Sequence, residues 1–180
     1  YISGPPGQAA HMTDTAPLIS IPEALVPEGG VGEWFWGADG ARLRAALFPA
    51  KGPPRGSVVL SPGRTEPIEK YVEVIGELQA RGFVVLAHDW RGQWLSARML
   101  EDRLRGHARG WRTFISDYTR LLDAFADRLP GPWIAMGHSM GGALTLLALS
   151  EGEARFAAAA LSAPMLGVVS DSWGYPFARA

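Results

Sequence analysis

The chain of 180 residues contains no cysteine. That single absence excludes a disulfide frame, a thiolate metal site and a thiol nucleophile. Histidine is scarce as well. His11, His88, His107 and His138 are the four present, isolated rather than set at metal-ligand spacing, so no metal or other cofactor is expected. No apolar run approaches the roughly 20 residues needed to span a bilayer. Charge is nearly balanced, with a formal net charge of −1, so no field favours nucleic acid as a partner. The glycine-rich segments lack a following Lys-Ser/Thr pair, and no phosphate-cradling loop is indicated. Internal repeats, low-complexity tracts and an interdomain linker are all missing. Nothing near the start shows the charged-then-apolar pattern of a secretory signal, which points to a cytoplasmic protein.

What is present is apolar and alternating. Hydrophobic residues make up 47% of the chain, enough for one domain with a substantial core. Residues 1–11 are Pro/Gly-rich and aperiodic, and His11-Met12 resembles a cloning junction, so they are set aside as a tag remnant. Residues 12–32 read as an extended arm and 33–164 as the folded core. Glu33–Gly37 and Ala41–Phe48 flank Asp39-Gly40, a pair suited to a hairpin. Ser57–Ser61, Phe83–His88, Pro132–Met136 and Phe156–Leu161 read as short apolar strands. Helices are expected over Ile68–Ala80 and Gly141–Leu149. A longer one carries Trp111, Phe114, Ile115, Tyr118, Leu121, Leu122, Phe125 and Leu129 on one stripe and ends at Pro130. Strands alternating with helices after a hairpin predict an α/β fold: a mostly parallel sheet, an N-terminal antiparallel hairpin, and helices on both faces.

One segment carries chemistry. Gly137-His138-Ser139-Met140-Gly141 follows an apolar strand directly and opens a small-residue helix. A serine hydroxyl becomes a useful nucleophile only when it is held exposed, near a base and beside oxyanion donors. A sharp strand-to-helix turn gives the exposure, and it demands small neighbours, here Gly137 and Gly141. In a chain with 22 glycines the bare pattern is weak, and a plain Gly-Ser loop is the alternative. The flanking strand and helix supply the context that confirms such a motif.

Three segments together resemble the lysophospholipase and monoacylglycerol-lipase group of serine aminopeptidase S33-like α/β-hydrolases. Gly137 to Gly142 resembles the group's nucleophile elbow. Ser61-Pro62-Gly63-Arg64-Thr65-Glu66 through Tyr71 resembles its oxyanion loop, and His88-Asp89-Trp90-Arg91-Gly92-Gln93 its Asp-x-Arg-Gly-His-Gly segment. The resemblance implies an α/β-hydrolase fold, Ser139 as nucleophile, and the backbone amides of Arg64 and Met140 as the oxyanion hole. It implies ester substrates, lysophospholipids or monoacylglycerols, and peripheral contact with a lipid surface is consistent with that. The Arg64 side chain reads first as solvated or paired with Glu66, and second as a partner for a lipid phosphate. Two departures stand out. The group's His-Gly is Pro62-Gly63 here, and a group glycine is replaced by Trp94, which would cost about 1 kcal/mol or more if that position has a positive φ. Trp94 is a packing or surface aromatic, or else it lines an acyl site. Trp173, with Tyr175 and Phe177, resembles the lining of a cap that begins over residues 165–180.

A serine hydrolase of this kind orders its residues Ser, then Asp or Glu, then His. No histidine follows Ser139, and Asp171 reads as a helix or turn cap rather than the triad acid. His138 should point away from the serine, His88 should lie two strands off, and the reach of His107 is open. The C-terminal strands and most of the cap are therefore expected to lie outside this sequence, with acid and histidine supplied by a second chain or a continuation. Small-ester esterase, peptidase and acyltransferase activities share the same elbow. A non-catalytic binding subunit is the second reading.

Overall fold

The computed structural model describes residues 14–167. Its elements run β1 (Val31–Trp36), β2 (Arg42–Phe48), β3 (Gly56–Ser61), α1 (Val72–Ala80), β4 (Phe83–His88), α2 (Trp111–Phe125), β5 (Trp133–His138), α3 (Met140–Ser150) and β6 (Phe156–Ser162). Single 3-10 turns precede α1 (Ile68–Tyr71) and extend α2 (Ala126–Arg128). All six strands join one sheet in the order β1-β2-β4-β3-β5-β6. β1 and β2 form the expected antiparallel hairpin, β2 pairs antiparallel with β4, and β3, β4, β5 and β6 run parallel. The expectation of a mostly parallel sheet behind a hairpin is met.

Helices cover both faces, because the central strands are apolar on both sides. On one face Val85 and Ala87 of β4 meet Ile75 of α1, together with Phe48, Leu60 and Ile68. On the other, Leu86 of β4 and Val59 of β3 meet Tyr118, Leu121, Leu122 and Phe125 of α2 and Leu144 and Ala148 of α3. The predicted stripe of α2 is the buried one, with Trp111, Phe114 and Ile115 packed at its margin. Gly82 has φ +85° just beyond α1, a left-handed position that ends the helix without a Cβ penalty.

Two differences from the sequence expectation concern the edges. The first strand begins at Val31, inside the stretch read as arm, and the arm docks on it. The Ala16 amide donates to the Gly32 carbonyl at 2.8 Å, and the Trp34 amide to the Asp14 carbonyl at 3.1 Å. A side chain at position 32 would collide with the Ala16 carbonyl, so the glycine that hides this strand from propensity is the residue that admits the arm. At the other end β6 is the last strand among the described residues, and Ala157–Ala160 are exposed. Among the described residues no helix is long and apolar enough to cross a membrane.

Candidate active site

Ser139 occupies the turn between β5 and α3 with φ +50° and ψ −117°. A non-glycine residue there is strained and persists only where its surroundings hold it. Three backbone bonds do so: the Ser139 amide donates to the Ser162 carbonyl at 3.0 Å, and its carbonyl accepts from Ala143 at 3.1 Å and Met165 at 2.9 Å. The flanking glycines answer a steric demand. A Cβ on Gly137 would stand 2.7 Å from Gly142 Cα, and one on Gly141 would overlap the carbonyl oxygens of Ser61 and Pro62. The first turn of α3 thus lies directly against the end of β3.

The loop after β3 faces that turn. The Gly63 amide donates to Glu66 Oε2 at 2.7 Å, and the Thr65 amide donates to Gln93 Oε1. Between them, the Arg64 amide has no hydrogen-bond acceptor among the described residues. Met140 opens α3, so its amide has no partner inside the helix, and it meets none elsewhere among the described residues. Arg64 and Met140 line one cavity of about 440 Å³. The two residues whose amides have no partner among the described residues thus line one cavity beside the serine turn.

Glu66 anchors this arrangement. Its carboxylate accepts from the Gly63 amide, Lys70 Nζ, Tyr71 OH (2.5 Å) and His138 Nδ1 (3.0 Å). Burial by itself would raise its pKa, but the bonds from Lys70, Tyr71, His138 and Gly63 outweigh it and hold the group at about 2. With His138, Lys70 and Tyr71 on Glu66, no Arg64–Glu66 pair forms, and of the two first readings the solvated one holds. The Arg64 side chain is exposed and lines the cavity.

The histidines separate clearly. His138 is on Glu66. His88 is buried two strands from β5, with Nε2 3.1 Å from Ser61 Oγ and its ring edge-on to Trp90 at 4.4 Å. Burial lowers its pKa to about 3, so it is neutral. His107, whose reach the sequence left open, lines the cavity with Arg64 and Met140, and its backbone packs on Gly92. Trp94 has φ +43°, the left-handed conformation that the glycine comparison anticipated, and also lines the cavity. Trp173, together with Asp171, Tyr175 and Phe177, lies outside the described residues.

A model of the family described as serine aminopeptidase, S33, matches residues 52–180. The chain belongs to that family. Lysophospholipase L2 of Escherichia coli K12 is 39% identical over 140 residues, covering 75% of this chain and 40% of its own. Monoacylglycerol lipase of Mycolicibacterium smegmatis is 32% identical over 131 residues, covering 72% and 45%. The α/β hydrolase GrgF from Penicillium sp. sh18 superposes with a TM-score of 0.64 at 25% identity, over 75% of this chain and 46% of its own. The chain spans less than half the length of each.

What sequence reasoning missed in this S33 domain is the buried ion-pair network behind the site. Arg44 of β2 is wholly buried. Its Nε donates to Asp89 Oδ2 at 2.7 Å, and its two Nη atoms to the two oxygens of Glu69 at 2.7 Å each. Asp89 Oδ1 accepts from the Ile68 amide at 3.0 Å, so the network holds the root of the oxyanion-type loop. Arg91 pairs with Asp117 and Asp39 in the same forked manner. An arginine inside the apolar strand Arg42–Phe48 was the available signal.

Proposed function

We propose that Ser139 is the nucleophile of a carboxylic-ester hydrolase, with the Arg64 and Met140 amides as oxyanion donors. The observation that carries this reading is the strained, glycine-flanked Ser139 turn beside two amides that have no partner among the described residues. Ser139 Oγ adds to the ester carbonyl, and the oxyanion takes hydrogen bonds from the two amides. The C–O bond to the alcohol breaks, the serine proton passes through a base to that alcohol, and water releases the acid from the acyl-enzyme. Lysophospholipids or monoacylglycerols are the proposed substrates, by kinship with the lysophospholipase and the monoacylglycerol lipase, and contact with a lipid surface follows from such substrates. Trp94 is proposed to line the substrate site, as is Trp173, which lies outside the described residues.

The base and its orienting acid are proposed to come from a second chain or a continuation of this one. Two facts support this: no histidine follows Ser139, and the chain spans less than half of its relatives' length. Labelling with a fluorophosphonate probe, in the presence of the complementary half of the fold, tests the proposal. Wild-type protein should be labelled on Ser139 and Ser139→Ala should not; an unlabelled wild type would sink it. The missing histidine also favours a second reading, a non-catalytic binding subunit, which the same unlabelled outcome would support.

A further inference from the structure

Among the described residues the cavity beside Met140 is lined by four arginines, Arg64, Arg91, Arg98 and Arg103, and by no carboxylate. Arg91 is neutralised by Asp117 and Asp39. The other three are not. Arg98 donates only to main-chain carbonyls, to Gly92 at 2.7 Å and Trp94 at 3.0 Å, and its Nε is buried with no partner among the described residues. Arg64 is exposed and forms no ion pair among the described residues, and Arg103 likewise. Arg64 reaches across the cavity: a Cβ on Gly106 would stand 4.0 Å from its Nη2. Uncompensated positive charge from three guanidinium groups in one concave site calls for an anionic ligand.

We propose that Arg64, Arg98 and Arg103 form an anion subsite that takes the phosphate of a glycerol ester's leaving alcohol. This rests on the reading of Ser139 as nucleophile and narrows it, because a neutral monoacylglycerol has nothing to offer three arginines. The planar forks of Arg64 and Arg98 suit the tetrahedral oxygens of a phosphate. The phosphate would sit in the cavity that Met140, next to Ser139, also lines.

Calorimetric titration of the 180-residue chain carrying Ser139→Ala, at low salt, tests the subsite without catalysis. The probes are sn-glycerol 3-phosphate, glycerol and butyrate. The expected result is saturable binding of glycerol phosphate and none of glycerol. Arg64→Gln and Arg98→Lys should each weaken glycerol phosphate about tenfold, and Arg81→Gln, at the C-terminal cap of α1 and outside the cavity lining, should leave it unchanged. Arg64 is exposed, so its variant guards against a folding defect at Arg98. Equal binding of glycerol, no saturable binding, or unchanged affinity in both cavity variants would overturn the proposal. Butyrate binding as tightly as glycerol phosphate would overturn it too, by assigning the arginines to a carboxylate. Phosphate binding with no fluorophosphonate label on the wild type would retain the subsite and remove the hydrolase reading.

Discussion

Glu66 Oε2 and His138 Nδ1 lie 3.0 Å apart and tie the loop after β3 to the serine turn after β5. The two residues are 72 positions apart in the chain. Glu66 shares a loop with Arg64 and His138 shares a turn with Met140, so the bond links the two segments that carry the amides left without partners among the described residues.

Glu66→Gln should test this coupling. The amide side chain keeps its shape but loses charge and turns one acceptor into a donor facing His138, Tyr71 or Lys70. A loss of about 1–3 kcal/mol in denaturant unfolding is expected. Fluorophosphonate labelling of Ser139, measured with the complementary half present, should slow more than Lys70→Ala slows it.

Acid should weaken the same link, and the sign is definite. Folded Glu66 titrates at about 2, whereas an unfolded glutamate titrates at about 4.3. Between those values the unfolded chain binds more protons, so the stabilisation from Glu66 is complete above about pH 4.5 and fades as pH falls toward about 2. Chemical denaturation from pH 6 to pH 2.5 should show this slope, and Glu66→Gln should flatten it. An equal slope in the variant would assign the effect to other groups.

Gly141→Ala should be costly because its Cβ would overlap two carbonyl oxygens of the β3 end, which cannot turn aside. A destabilisation of about 3 kcal/mol, or failure to fold, is expected. Gly76 provides the contrast. It lies inside α1 with nothing within 4 Å of a Cβ, so Gly76→Ala should stabilise by about 0.5–1 kcal/mol. Thermal melts of the two variants should move in opposite directions.

Arg44→Met should leave Glu69 and Asp89 as buried carboxylates without their cation. Breaking such a pair from one side costs about 3–5 kcal/mol. Urea unfolding measures it, and hydrogen exchange should show the largest gain at the Ile68 amide, which Asp89 holds.

The strands, the helices and the serine turn were legible because their signals are local. Alternation, the stripe on α2 and the two glycines around Ser139 each lie within one element. Val31 and Gly32 were misplaced in the arm because the residues that make them strand are Leu47 and Ala46 of β2, outside any local window. For Arg64 the sequence left a solvated side chain and a pair with Glu66 both open, and Lys70, Tyr71 and His138 decided between them by filling the Glu66 carboxylate.

Sequence by itself therefore determined the order of elements, the α/β class and the strained serine turn, since periodicity and steric demand act between near neighbours. Tertiary structure decided the strand order, the Glu66–His138 link, the Arg44–Asp89–Glu69 network and the arginine-lined cavity. Those depend on which strands the crossovers bring side by side. Once a charged group is buried there, it must take whatever partner the sheet places within about 3 Å.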